Sequence, residues 1–272
     1  MYSKPLLSFE LFGKTMSVNL YGLCIAVGII ACLIVFYLYT KKSKMPEALQ
    51  DFIFFITVAA IALGFLAAKL FQAVYNWIDT GVFNFMGAGI TAMGGFVGGA
   101  GVFLACYFGL GNLVFKGKEQ GLHVRQFAKI LHCAPCCIAI AHAFGRIGCL
   151  MAGCCHGKKL GLTPVFGGIK MKGAYYIPTQ LYESLFLFAL FAVLSVLYFK
   201  RSNLTMSVYL IAYGVWRFFI EFFRADDRGF TLLGMSPSQF QSFIFIFAGI
   251  GLILYYAIAK KPWKFELNDR RK

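Results

Sequence analysis

The stretch that decides the fold is residues 142–157, which read His-Ala-Phe-Gly-Arg-Ile-Gly-Cys-Leu-Met-Ala-Gly-Cys-Cys-His-Gly. It places Arg146 within a run of apolar and small residues, among four glycines, three cysteines and two histidines. A guanidinium keeps its charge at ordinary pH, so an arginine in an apolar segment needs an anionic partner or a water-filled cavity. Arg146 is therefore a candidate functional residue.

The composition of the chain is that of a helical membrane protein. Hydrophobic residues make up 60% of its 272 residues and charged residues only 14%, and apolar runs of about 18 or more residues recur along it. The formal charge of +15 lies mainly between these runs, where it suits anionic lipid headgroups better than nucleic acid. The first run is too long for a cleavable signal peptide. The sequence therefore predicts an all-α polytopic membrane protein that does not bind nucleic acid.

About seven transmembrane helices are predicted, in one membrane domain that covers residues 1–272. Their approximate limits are 18–39, 51–75, 89–110, 127–150, 178–199, 204–223 and 237–259. Prolines stand where three of these helices should begin, as proline does in a first helical turn: Pro46, Pro178 and Pro237. Two connections, 111–126 and 151–177, are long enough to fold over the bundle.

The distribution of lysine and arginine predicts the orientation. Fourteen of these residues lie in the loops and tail of one side, and eight lie on the other side. Because the richer side is normally cytoplasmic, we expect the N-terminus outside and the C-terminus inside. Arg146 and the segment 151–177, which we expect to cover the site, then lie toward the outer leaflet.

A second charged motif closes the sixth span. Arg217, Glu221 and Arg224 are spaced i, i+4 and i+7, on one helical face in register with Tyr213. They form either a charged ladder at the water interface, worth a few tenths of a kcal/mol per pair, or two guanidiniums aimed at a phosphate, one of them steered by Glu221. The Phe and Ile flanks favour the phosphate, which Arg146 and Arg217 would then clamp together.

The start of the fifth span carries Gln180 and Glu183 on one helical face, at the same predicted level as Arg146. Glu183 either holds Arg146 or is an N-terminal acid favoured by the helix dipole. Tyr21, at the start of the first span, is either a site residue or an interfacial aromatic.

Two features of the second and third spans have structural explanations beside functional ones. Glycines in the third span form overlapping Gly-x-x-x-Gly pairs, which are typical of close helix packing: Gly94, Gly95, Gly98 and Gly99. Lys69, deep in the second span, pairs either with a carboxylate or with the same anion as Arg146.

Cysteines are concentrated in the fourth span and just after it. Six of the nine fall within 133–155, with three histidines at 132, 142 and 156 nearby. Such residues form metal and redox sites, but cysteine is also a small apolar residue of helix interiors. Their spacing is irregular for a paired zinc site, so we predict no metal and no cofactor. Metal or redox chemistry at Cys149, Cys154 and Cys155 is the open alternative.

The order of these motifs resembles the bacterial prolipoprotein diacylglyceryl transferase family. The resemblance is carried by Gly145-Arg146-Ile-Gly148…Gly153…Gly157, Tyr21-Gly22, Gly94-Gly95, Pro178-Thr-Gln-Leu-Tyr-Glu183 and Arg217…Glu221…Arg224. It implies an enzyme of the bacterial inner membrane that transfers the diacylglyceryl group of phosphatidylglycerol to the lipobox cysteine of a prolipoprotein. It also implies that substrate is bound by Tyr21, Gly94, Gly95, Arg146, Gly157, Gln180, Glu183, Arg217, Glu221 and Arg224.

The chain departs from the family pattern at three positions. Cys149 and Cys154 stand where the family has Asn and Glu, and Met93 stands where a His is common. With Met93 there, His142 is the first candidate for the base that takes the thiol proton, and His156 is the second. A structural role is the alternative for each histidine. His142, Arg146 and Arg217 are then the predicted catalytic residues. The alternative is a relative that acts on another lipid or acceptor, or a cysteine-based redox or metal protein.

Overall fold

A computed structural model describes residues 7–11, 14–171, 173–224 and 235–260 of the chain. Within these ranges the fold is mostly helical, with seven α-helices: α1 Leu20–Lys42, α2 Glu47–Thr80, α3 Ala92–Val114, α4 Leu122–Ala152, α5 Thr179–Phe199, α6 Thr205–Glu221 and α7 Pro237–Ile258. Two short sheets accompany them. Strands β1 Leu7–Leu11 and β2 Lys14–Val18 form an antiparallel hairpin, and β3 Lys159–Gly161, β4 Ile169–Met171 and β5 Ala174–Tyr176 form an antiparallel sheet in the order β3-β5-β4.

Each predicted span corresponds to one helix. Six of the helices in the described ranges are long and apolar enough to cross a membrane. The remaining helix, α6, has 17 residues, which is the lower limit for a crossing. The predicted multi-pass membrane protein is therefore confirmed.

The connection predicted over 111–126 was wrong. Helix α3 continues to Val114 and α4 begins at Leu122, with a single 3-10 turn between them. The two helices approach closely there, because a Cβ atom at Gly111 would lie 2.8 Å from the ring of His123. The other long connection forms β3 to β5, strands of three residues each, which are too short to show a period-2 pattern.

Contacts within the chain divide it into two compact units, Met1–Tyr39 with Ala128–Lys272, and Thr40–Phe127. In the second unit, α2 and α3 pack through small residues. A Cβ at Gly94 would lie 2.5 Å from Phe71, and Gly95 faces Ala68.

The next turn of the same helix pair repeats this contact. Gly98 lies directly against Ala67, and a Cβ at Gly99 would lie 3.3 Å from the carbonyl oxygen of Ala60. These contacts confirm that the glycines of α3 serve close helix packing. Lys69 of α2 holds its Nζ atom 5.3 Å from the ring centre of Phe85.

In the first unit, α6 and α7 pack closely through two glycines. A Cβ at Gly214 would lie 2.9 Å from the carbonyl oxygen of Ser242, and one at Gly249 would lie 3.0 Å from that of Ser207. Helix α7 begins with a capping box in which the Ser236 hydroxyl accepts a hydrogen bond from the backbone N–H of Gln239. This start places the serines of α7 beside the end of α6.

Candidate active site

Arg146 of α4 and Glu183 of α5 form an ion pair with a fully buried carboxylate. The Nε atom of Arg146 lies 3.0 Å from Oε2 of Glu183, whose side chain is 0% exposed. The Ser184 hydroxyl donates a 3.0 Å hydrogen bond to the Ala143 carbonyl and holds the two helices together at this level. Because the contact uses Nε, it leaves the two terminal nitrogens of the guanidinium for an anion. The prediction that Glu183 holds Arg146 is thus confirmed.

The other oxygen of Glu183 receives contacts from two further side chains. Tyr213 of α6 donates a 3.1 Å hydrogen bond to Oε1, and Nε2 of His142 lies 3.8 Å from the same atom. The rings of His142 and Tyr213 meet edge to face at 5.3 Å. Three helices therefore converge on one carboxylate, and that carboxylate fixes the position of Arg146.

Arg217 of α6 is held by a second carboxylate. Its Nη2 atom lies 3.1 Å from Oε2 of Glu221 and donates a 2.8 Å hydrogen bond to the Ser238 hydroxyl of α7. Ser236 in turn donates a 3.0 Å hydrogen bond to Oε1 of Glu221. Arg217 is 6% exposed, and its Nη1 atom has no hydrogen-bond partner among the described residues. Glu183 also interacts electrostatically with Arg217, so one carboxylate acts on both guanidinium groups.

The prediction that Arg224 continues the helical face of Arg217 was wrong. Helix α6 ends at Glu221, and Arg224 follows a turn and pairs through its backbone with Gly157. The close approach of the two backbones explains the glycine, because a Cβ at Gly157 would lie 2.6 Å from the carbonyl oxygen of Phe223. Arg224 is nevertheless buried and interacts electrostatically with Glu183.

Gln180 holds the turn that follows α4. Its amide donates a hydrogen bond to the Cys154 carbonyl, and the neighbouring Thr179 hydroxyl donates a 3.0 Å hydrogen bond to the Cys155 carbonyl. Gln180 is fully buried, and its side-chain oxygen has no hydrogen-bond partner in the described part of the chain. The structure thus gives Gln180 a positioning contact, and its predicted role in substrate binding stays a prediction.

The remaining predicted residues lie in three places. Tyr21 of α1 packs on Gly148, where a Cβ would lie 3.2 Å from its ring, and it is 42% exposed. Gly94 and Gly95 lie in the other compact unit, against α2. His156 has its Nδ1 atom 3.1 Å from the carbonyl oxygen of its neighbour Gly157. The roles predicted for these residues stay predictions.

Two residues of the site were missed by the sequence analysis. Ser236 and Ser238 orient Glu221 and Arg217. A signal was present, since Ser236-Pro-Ser-Gln239 is a capping-box pattern that fixes the start of α7, but the position of α7 relative to α6 is not encoded locally.

Comparison with known proteins identifies the family. The sequence profile of the prolipoprotein diacylglyceryl transferase family matches residues 8–255. A Clostridium perfringens protein named phosphatidylglycerol–prolipoprotein diacylglyceryl transferase 2 is 32% identical over 274 residues, 96% of this chain and 98% of its own. A Clostridium tetani phosphatidylglycerol–prolipoprotein diacylglyceryl transferase is 36% identical over 258 residues, 91% of this chain and 95% of its own. This chain belongs to the prolipoprotein diacylglyceryl transferase family.

Proposed function

We propose that this protein transfers the diacylglyceryl group of phosphatidylglycerol to the lipobox cysteine of a prolipoprotein. Relatives that carry this activity in their names align with more than nine tenths of the chain. The observation that carries the proposal within the chain is the pair of arginines, Arg146 mostly and Arg217 almost fully buried, each oriented by its own carboxylate. Guanidinium groups within apolar helices are costly and mark functional sites, and a lipid phosphate is an anion that two such groups can bind together.

In the reaction, the thiol sulfur attacks the glycerol carbon of the diacylglyceryl group that bears the phosphate oxygen. A C–S bond forms, the C–O bond breaks, and glycerol phosphate leaves with the electron pair. Charge therefore grows on the phosphate in the transition state. The terminal nitrogens of Arg146 and the Nη1 atom of Arg217 are donors that can meet this charge in a site of low dielectric, where such contacts are strongest.

The proton of the acceptor thiol requires a base, and His142 is the proposed one. Its ring lies between Glu183 and Tyr213, and the Glu183 carboxylate 3.8 Å from Nε2 would stabilise the imidazolium that forms. Glu183 would then serve two groups, because it orients the phosphate-binding Arg146 and supports the base.

The decisive experiment is lipid transfer by the purified protein. Wild type and Arg146→Ala are incubated with phosphatidylglycerol vesicles and a lipobox peptide, and the adduct is measured by mass. We expect a thioether adduct from wild type and none from Arg146→Ala. Arg125→Ala, which removes an exposed arginine of the same helix, is the control and should keep full activity. Absence of adduct from folded wild type would refute the proposal.

We further propose that the enzyme lies in the bacterial inner membrane with its N-terminus outside and its C-terminus in the cytoplasm. The lysine and arginine bias between the two sets of loops supports this orientation. A C-terminal reporter that is active only in the cytoplasm tests this orientation. An inactive reporter on a functional enzyme would contradict it.

A further inference from the structure

Three cysteine side chains meet beside the proposed active site. Cys149 lies in the last turn of α4, and Cys154 and Cys155 lie in the turn that follows. Their three Sγ atoms all lie within 4.8 Å of one another. Cys154 is exposed and the other two are partly buried, and all three are free thiols. This trio of thiols, Cys149, Cys154 and Cys155, has no part in the mechanism above.

The backbone holds the trio in place. The N–H of Cys154 donates a 3.1 Å hydrogen bond to the Cys149 carbonyl, and Thr179 and Gln180 bind the carbonyls of Cys155 and Cys154. Cys155 has a φ of 59°, a left-handed conformation that is unfavourable for a non-glycine residue and persists only where neighbouring contacts impose it. The thiols converge because contacts from α5 fix this turn.

Two arginines interact electrostatically with the trio. They are Arg146 and Arg224, and both act on Cys155. The thiolate is the form of cysteine that binds metal ions and reacts with electrophiles. The trio therefore combines clustered sulfur atoms with nearby positive charge.

A second group of thiols on α4 is clustered too, but it is buried in the hydrophobic core. Cys133 and Cys137 lie one turn apart with their sulfur atoms 3.9 Å from each other. Both are buried in the hydrophobic core with Leu187 and Leu194. Small apolar side chains suit that position, so clustering alone does not explain the trio at the end of α4.

We propose that Cys149, Cys154 and Cys155 bind a zinc ion as three thiolates and leave its fourth coordination position open. Tetrahedral zinc–sulfur bonds of about 2.3 Å place sulfur atoms about 3.8 Å apart, a spacing that fits within this cluster. Three protein ligands with an open fourth position is the arrangement of catalytic zinc sites. Within the described ranges, the metal-ligand group contains these three side chains and no carboxylate or histidine.

The fourth ligand would be the thiol of the acceptor peptide, an assignment that rests on the proposed function. Binding to zinc removes the thiol proton, which His142 or solvent can accept. The zinc-bound sulfur then attacks the lipid carbon, the C–O bond breaks, and glycerol phosphate leaves with the electron pair beside the arginines. Zinc stays divalent throughout, and the thioether product, a weaker ligand than a thiolate, leaves the metal.

Metal binding is tested on the reduced, full-length protein after removal of metal by a chelator. Co²⁺ is the spectroscopic probe, and we expect a sulfur-to-metal charge-transfer band that saturates at one ion per chain and is displaced by Zn²⁺. Loss of a group that only supports a metal ligand weakens metal binding by up to about 100-fold. Cys154→Ser and Cys155→Ser each remove a direct ligand, so each should weaken Co²⁺ binding by more than that. Cys106→Ser, which changes a partly exposed cysteine of α3, should bind as wild type does. Absence of the band from wild type would overturn the proposal.

Protection of the thiols from alkylation gives a second measurement that needs no variant. Zn²⁺ should slow the reaction of iodoacetamide with the trio and leave the rate at Cys106 unchanged, as read by peptide mass. Equal alkylation rates at the trio with and without Zn²⁺ would also overturn the proposal.

Addition of a lipobox peptide separates the metal site from the proposed function. A cysteine peptide should intensify the charge-transfer band, whereas a peptide with serine in its place should not. Transfer should fall when metal is stripped and return with Zn²⁺. Full transfer by stripped protein without any band would refute the zinc site and keep the transferase. A band that responds to the peptide, without any adduct, would keep the zinc site and refute the transferase.

Discussion

The two compact units of this chain bury very different surfaces between their helices. In the unit 40–127, α2 and α3 meet mainly through glycines and alanines, whose backbones approach closely. In the other unit, α4 to α7 enclose Arg146, Glu183, Arg217 and Glu221. Lipid tails are as apolar as leucine, so helices in a bilayer associate well through small residues alone. Charges are not needed for packing, so the ion pairs Arg146–Glu183 and Arg217–Glu221 of the other unit suggest a role in binding or catalysis.

The free-energy cost of placing charged residues between the helices can be estimated. A single charged residue at the centre of a membrane helix costs about 2.5–3.5 kcal/mol by insertion measurements. Replacing a buried ion pair by well-packed apolar residues is often neutral or stabilising, whereas removing one partner costs about 3–5 kcal/mol. The charged interior should therefore be convertible into an apolar one without loss of the fold, but with loss of function.

The largest expected effect on stability and transfer comes from removing one partner of the Arg146–Glu183 pair. Glu183→Ala leaves the Arg146 guanidinium buried without its carboxylate, so we expect it to lower the free energy of unfolding by about 3–5 kcal/mol and to abolish transfer. The double variant Arg146→Met with Glu183→Leu should recover most of the stability and none of the transfer. Unfolding in detergent and the adduct assay measure the two effects. A double variant as unstable as Glu183→Ala would mean that the pair is needed for the fold itself.

In the unit 40–127, by contrast, an added apolar side chain should destabilise the fold. Gly98→Leu places a large side chain where Gly98 already lies against Ala67, and we expect a loss of about 1–3 kcal/mol in the free energy of unfolding from overpacking. Gly101→Leu is the matched control, since nothing lies within 4 Å of a Cβ at Gly101, and it should unfold as wild type does. Equal stability of the two variants would contradict the packing assigned to α2 and α3.

A smaller effect is expected at the contact that orients Arg217. Ser238→Ala removes the 2.8 Å hydrogen bond from Nη2, and bonds to charged groups are worth about 1.5–3 kcal/mol. If half of this free energy, about 0.75–1.5 kcal/mol, is lost in the transition state, transfer should slow by roughly three- to tenfold, since about 1.4 kcal/mol is tenfold in rate. Ser242→Ala is the control, because the bond that the structure describes for that hydroxyl goes to the carbonyl one turn earlier in α7. A rate unchanged in Ser238→Ala would show that Glu221 alone positions Arg217.

The features that sequence could predict are those with a local signal. The apolar runs predicted the helices. Arg146 was identified as a candidate functional residue because it is a charged residue within such a run. Arg224 was misplaced because its position depends on a backbone pairing with Gly157, a contact between distant parts of the chain that helical periodicity cannot show. Ser238 was missed for a similar reason, since its partner Arg217 lies on another helix. The site is therefore predictable as a set of charges, but not as a geometry.

The smallest expected effect tests the hydrogen bond from Tyr213 to Glu183. Tyr213→Phe removes a 3.1 Å contact to Oε1 and keeps the ring that packs on His142. Because Arg146 still holds Oε2, we expect a loss of only about 1 kcal/mol, seen as a transfer rate several-fold lower. Tyr209→Phe, one turn earlier and stacked on the same ring, is the control and should leave the rate unchanged. In the background of Glu183→Gln, the Tyr213→Phe effect should shrink, because the two changes act on one interaction. Additive effects in this cycle would mean that Tyr213 acts on the reaction by a route other than Glu183.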